Sequence, residues 1–472
     1  MEKNDHTIGS NLMLINEEWM GVYLNGRKLG FVHSSIREWE RGYIINSRAY
    51  IKLKAMGEIQ ETSFTQESYL TKGLIPESFT LFQEMMGHRQ RIEGILVGDT
   101  MKLEISSAGV TSKKEVGLVG DVSISGALGF VIYKKGLEVG KSYSMKAFLE
   151  PLQIIIPIEI EIKEKKGIEL KGKRFEVFVI EERYGNLVST IWMTEDGETI
   201  KEISMEGLES IREEEDVAIN FEGGIIPISS FITMSLIKPD TPIENPDKVR
   251  MLKVRLMNIS DPDLIISDQR QKIVSKKRGD RGYEIRLDIR SEEIKEGGEA
   301  LSVKSKIKDK KSNIRYIEDT PEIQSSHHEI KARAKEIIGD EKDAWKAAVS
   351  INEWIYNYLE KRPVDTFSAM DALKSKEGEC QSHTNLYAAM ARSLGIPTKV
   401  VSGLVYSPEH KGFLYHAWPE VYVGRWIALD PSLGQTTVDA THIKLVEGGW
   451  GEQLKLFEFI GKIRIEVLDQ DF

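Results

Sequence analysis

One cysteine in 472 residues, Cys380, sits where a nucleophile would need to be. It follows Gly378-Glu379 and precedes a stretch whose apolar residues Leu386, Met390 and Leu394 recur every four positions. That spacing predicts a helix, with Gly395 as its C-terminal stop and Pro397 forbidding continuation. Cys380 therefore lies at or near a helix N-terminus, where unpaired backbone N–H groups and the helix dipole favour a thiolate. Downstream, FLYHAWPEVYV and RWIALD read as adjacent strands joined around Gly424. Period-two alternation puts His416, Trp418, Glu420 and Tyr422 on one face of the first strand. If Val423-Gly424-Arg425 is a three-residue loop, Asp430 falls opposite Trp418 and diagonal to His416, within side-chain reach. A two-residue loop would turn Asp430 to the wrong face, so a three-residue loop or a bulge is expected. Cys380, His416 and Asp430 then compose a thiol nucleophile system. The thiol attacks an acyl carbon, the imidazole takes its proton and later gives it to the leaving amine, and the carboxylate fixes the ring tautomer. Each residue alone has a plainer role, as small hydrophobe, packing residue and turn former. Their order and settings together favour the catalytic one.

The elements around them change character near Ser326. Before it the chain is β-rich. Asn25-Gly26 between Val22-Tyr23-Leu24 and Arg27-Lys28-Leu29 is a strong hairpin signal. Strand-like runs recur at short spacing: RIEGILV, TMKLEI after Gly98-Asp99, RFEVFVIEERY, NLVSTIWMT, and ETIKEISM after Asp196-Gly197. Such a pattern predicts an antiparallel sandwich or a curved half-barrel over residues 1–222. Pro239, Pro242 and Pro246 cluster in a linker or sheet edge. A second β-rich stretch with linker, including KVRLMNI and GYEIRLDI, fills 223–325. The third domain, 326–472, opens with helices. Ser326 and Glu329 have capping-box spacing, Gly339 closes that helix, and Asp340 with Asp343 marks the next start. Arg362-Pro363 ends the second helix, and Ser368 with Asp371 opens a third. His327 and His328, adjacent on a helix, point about 100° apart and suit capping better than metal chelation.

Composition excludes several classes. Lys and Arg number 64 against 74 acidic residues, a net charge of −10, so no nucleic-acid partner is expected. The Lys304–Lys311 run reads as a solvated loop. A lone cysteine rules out an internal disulfide and multi-cysteine metal centres; no metal and no cofactor is expected. No apolar run reaches the roughly 18–20 residues of a transmembrane segment. LMLI, the longest apolar stretch near Met1, is too short for a signal-peptide core. The compartment stays open: cytoplasmic as written, periplasmic or cell-surface if a leader has been removed. Oligomeric state is not legible.

The runs GEC, LYAAMARSLGIPTKVVSG, HAWPEVYV and WIALDP resemble the transglutaminase-like superfamily. The resemblance implies a papain-like or transglutaminase-like α+β domain from Ser326 onward, with a Cys–His–Asp triad on a helix and a small antiparallel sheet. More narrowly, Gly378-Glu379-Cys380-Gln381-Ser382-His383 and Asp439-Ala440-Thr441-His442-Ile443 resemble motifs of bacterial multidomain members. Glu379 and Ser382 depart from the usual Asp and Glu, which bears on substrate preference. No acidic loop resembles the calcium sites of animal transglutaminases. His383, on the Cys380 side of the helix, is a candidate for tuning the thiolate or shaping the pocket. Trp418 and Trp426 are candidates for walls of an acyl-donor channel, although core packing is the commoner role for tryptophan. The backbone N–H of Cys380 is one natural oxyanion donor.

The function expected is acyl transfer through a Cys380 thioester on protein, peptide or amide substrates. Hydrolysis by a cysteine protease or amidase is favoured over the acyltransferase reaction of a cross-linking transglutaminase. The alternative is a catalytically silent binding or scaffold protein built on the same fold. Against it, all three triad residue types are intact.

Overall fold

The structure, a computed structural model, describes residues 12–472 except 56–57, 86, 185–186, 205–206, 226–235, 293–313, 363–365, 454, 457–458 and 460–461. The lysine run at 304–311 and Pro363 lie outside the described residues. The chain divides into two compact units, residues 1–106 with 113–227 and residues 107–112 with 228–472.

The first unit is one long, almost wholly antiparallel sheet. It begins with the hairpin Met13–Leu24 and Arg27–Trp39, where Asn25 (φ 51°) and Gly26 (φ 76°) both take the left-handed conformation of a tight two-residue turn. Successive strands run out to an edge at Val110–Gly117. A second arm returns from the other edge, Val122–Ile124, to Glu209–Arg212, which pairs with Met13–Leu24. Leu81, Ile92 and Met101 of one arm share a core with Ile158, Ile160 and Ile180 of the other. Phe130, Val131 and Ile132 of the helix Leu128–Lys135 complete that core. A twisted sheet this long with one shared core must curl around it, so of the two forms expected the half-barrel fits.

In the second unit, strands β1 (Met251–Ile259), β2 (Gln271–Gly279), β3 (Gly282–Arg290) and β8 (Arg464–Asp471) form one sheet in the order β2-β3-β1-β8. Between β3 and β8 in sequence come helices α1 (His328–Ile338), α2 (Ala344–Tyr358), α3 (Ala369–Ser375) and α4 (Cys380–Ser393). A second sheet, β4 (Thr398–Ser407), β5 (Gly412–Tyr422), β6 (Trp426–Ala428) and β7 (Ile443–Glu447), runs β6-β5-β4-β7. Val400 and Val421 share a core with the four helices, and Leu404 and Phe413 share one with the first sheet. Alternation leaves Val401, His416 and Trp418 on the opposite face. Among the described residues no helix is long and apolar enough to cross a membrane.

Three helix-end expectations are corrected. The cap of α1 is His327, whose Nδ1 accepts from the Glu329 N–H at 3.3 Å, while the Ser326 hydroxyl is claimed by Asp319 instead of capping. Asp343, not Asp340, caps α2, accepting from the amides of Trp345 and Lys346 at 2.8 and 3.1 Å. Helix α2 ends at Tyr358, short of Arg362, because Glu360–Lys361 turns aside to pair with Glu377–Gly378. Ser368 caps α3 as its spacing to Asp371 suggested.

Candidate active site

Cys380 is the first residue of α4. The chain enters in extended form at Glu379 (φ −85°, ψ −173°) and passes Gly378, where a Cβ would stand 2.3 Å from that of Ser382. Only glycine fits there. Ser382 is fully buried and accepts from the Thr366 hydroxyl and amide at 2.9 and 3.2 Å, so this departure from the family motif packs the helix start. The helix behind is buried from Ser382 to Arg392. Cys380 is thus mounted on a fixed element while its own side chain stays half-buried.

His416 lies on β5, paired with Gly403 of β4. The β5–β6 register runs Glu420↔Ala428, Val421↔Ile427, Tyr422↔Trp426, leaving Val423-Gly424-Arg425 as a three-residue loop. Leu429 still donates its N–H to the Pro419 carbonyl at 3.2 Å, so the pairing extends to the next position and Asp430 turns onto the His416 face. Asp430 Oδ2 accepts from His416 Nε2 at 2.6 Å. That bond assigns Nε2 as a donor, and the ring also interacts with the Cys380 sulfur.

Exposure is graded. Cys380 is half-buried, the His416 side chain keeps 9% of its surface, and Asp430 keeps none. Burial works against a charged imidazole, but the Asp430 carboxylate and the Cys380 sulfur outweigh it and push His416 up to about 10. Burial likewise opposes the Asp430 anion, yet His416 and His442 hold it well below the usual carboxylate range. Asp430 Oδ1 accepts from the Ser432 amide (2.8 Å), the Ser432 hydroxyl (2.7 Å) and the Leu433 amide (3.0 Å). The carboxylate cannot rotate.

The accompanying candidates are placed differently. Trp418 is fully buried among Val401, Ala428 and Val438, its ring nearly parallel to His416 at 6.2 Å. It floors the imidazole and is not a channel wall. Trp426 does not flank the triad: six residues separate His416 from its partner Tyr422, about 20 Å along a strand. Its ring carries the Lys399 ammonium at 4.3 Å and lines a cavity of ≈ 260 Å³ with Asp268, Glu292, Glu420 and Lys444. His383 is buried, its Nδ1 bonded to the Glu379 carbonyl at 2.9 Å, and burial lowers its affinity for a proton. It ties down the turn that presents Cys380.

Two groups have metal-like ligand sets. His416, Asp430 and His442 converge, but 2.6 Å between nitrogen and oxygen is a hydrogen bond, shorter than the roughly 3.4 Å edge of a tetrahedral zinc site. Asp268, Glu420 and Glu447 surround the Lys444 ammonium at 2.5, 2.6 and 2.9 Å, and that cation occupies their centre. The Asp439–Ile443 run has no role that its sequence alone assigns. In the structure His442 reaches Asp430 Oδ2 at 3.2 Å, and Arg270, from 172 residues upstream, donates to the His442 carbonyl. The i,i+3 spacing of Asp439 and His442 was a visible signal; Arg270 had none.

Residues 331–431 match the model of the transglutaminase-like superfamily and form a transglutaminase-like core. An uncharacterised protein of Mycobacterium leprae is 32% identical over 97 residues, 18% of this chain and about a third (34%) of that relative's own length. Among solved structures, a candidate cysteine protease from Cytophaga hutchinsonii is similar at 17% identity and a TM-score of 0.35, over 48% of this chain and 89% of its own. A β-barrel-like protein of a domain of unknown function from Brucella abortus is similar at 11% identity and a TM-score of 0.34, over 42% and 95%. Likenesses at this level bear on neither chemistry nor substrate.

Proposed function

We propose that the second unit is a thiol-dependent hydrolase of peptide or amide bonds, with Cys380 as nucleophile, His416 as proton carrier and Asp430 as its orienting anion. One observation carries the reading: His416 Nε2 donates to the fully buried Asp430 carboxylate at 2.6 Å, and the same ring interacts with the half-buried Cys380 sulfur. A His416 that keeps its proton through neutral pH has that proton to give to a leaving amine. The thiolate adds to the acyl carbon and the ring N–H protonates the leaving amine. Water, activated by the now neutral ring, then releases the acid. The Cys380 backbone N–H is the natural first donor to the oxyanion. Hydrolysis is favoured over amine capture because the thiol and ring both keep some contact with solvent, so water reaches a thioester. In this reading the β-rich front, 1–222, serves binding or docking. The test is a peptide and amide library with products read by mass, with and without an added amine. Free acid that disappears in Cys380→Ala is expected. Full turnover in that variant would leave a binding module in place of an enzyme, and amide products at low amine would make it a cross-linker.

A further inference from the structure

The triad carboxylate has a second histidine on it. His442 is fully buried, with Nε2 at 3.2 Å from Asp430 Oδ2 and Nδ1 at 3.3 Å from Asp439 Oδ1. Its ring stands edge-on to Trp418, with centroids 5.1 Å apart, and Trp418 in turn floors His416. Asp439 is fixed by the Thr441 amide and hydroxyl at 2.8 and 2.6 Å and by the Gln435 amide group at 2.7 Å. With Oδ1 of Asp430 saturated by three donors, Oδ2 is the one oxygen left for histidine, and two imidazoles share it.

We propose that His442 is a positioning residue of the thiol site: clamped against Asp439, it donates to Asp430 Oδ2 and fixes the lone pair from which that carboxylate orients His416. The inference rests on the triad reading and extends it by one residue. It makes a chemical demand that packing alone does not, namely a donor at the Nε2 position. A lost donor leaves that buried oxygen with His416 as its one remaining partner and free to tilt about that single bond.

Side-chain amides separate the two ring nitrogens. Glutamine can place its NH₂ where Nε2 stands, whereas asparagine reaches only the Nδ1 position. The experiment measures the iodoacetamide rate of Cys380 at neutral pH in the full chain, with melting curves to verify folding. Because Cys380 is the only thiol, intact mass reports it, and no substrate is needed. His442→Gln should stay within about threefold of the parent. His442→Asn should fall roughly 10–100-fold, the scale seen when outer-shell partners of a metal ligand are lost. His442→Leu should fall as far where it folds; the Gln–Asn pair decides the matter if it does not. Equal rates in Gln and Asn, or parent-like rates in both, overturn the inference while leaving the triad standing. A parent-like rate in His416→Ala overturns the triad and this inference with it.

Discussion

At the scale of single residues the electrostatics of His416 set what the site does with pH. Its pKa is raised in the fold to about 10, against an ordinary 6.5. The stability it contributes is therefore complete below about 6.5 and is lost as pH rises through about 10. Its proton-donor role should decline over the same alkaline range. The stability difference between parent and His416→Gln should accordingly shrink above pH 9 in denaturant titrations; a difference that grows there would refute the assignment. Asp430→Asn removes the charge that outweighs burial while keeping the shape. Turnover should drop by roughly 10²–10⁴-fold, the range for a residue that orients a catalytic histidine. The His416 ring should at the same time titrate lower by NMR. The placement of Cys380, His416 and Asp430 was legible in the sequence because each setting depends on near neighbours: a helix start, a period-two strand, a three-residue loop. His442 was not, because its role depends on which oxygen of Asp430 remains after Ser432 and Leu433 have taken the other.

At the scale of elements the site depends on how closely β4 approaches its neighbours. Gly403 lies opposite His416, and a Cβ there would stand 2.0 Å from the Ile443 carbonyl oxygen and 2.9 Å from the Trp418 ring. Neither can yield. The first is the backbone of β7, and the second is packed in the core that floors the imidazole. Gly403→Ala should cost about 3 kcal/mol, the upper end for overpacking, read as a lower denaturant midpoint. It should also slow Cys380 alkylation, since Trp418 and His416 shift together; a variant with parent midpoint and parent reactivity would show that the three strands have slack. The strand readings of FLYHAWPEVYV and RWIALD match β5 and β6. Capping spacing misplaced the starts of α1 and α2, since those ends are set by Asp319 drawing off Ser326 and by Asp343 taking the first free amides in place of Asp340.

At the scale of the whole second unit, the sheet that carries His416 is not self-sufficient. Gln271 uses its side-chain amide as a length of strand, donating to the Lys444 carbonyl at 2.9 Å and accepting from the Lys444 amide at 3.0 Å. Arg270 holds the carbonyls of Asp439 and His442, and Asp268 meets the Lys444 ammonium at 2.5 Å. The last strand, β8, pairs with β1 through seven register positions, Met251↔Asp471 to Met257↔Arg464. Leu404, Phe413, Ile443 and Leu445 share their core with β1, β3 and β8. None of this is readable locally, because the partners lie about 170–220 residues apart and carry no motif. The consequence is testable. A fragment of residues 326–472 contains the family core and every triad residue, yet it lacks the partner of β8, the Gln271 amide and half of one hydrophobic core. It should fail to melt cooperatively, and its cysteine should react at the rate of a free thiol. A fragment beginning at residue 236 restores all three and should regain both properties. Cooperative melting and parent-like Cys380 reactivity in the shorter piece would mean that the transglutaminase-like core folds without the 251–290 sheet, and that Arg270 and Gln271 merely decorate it.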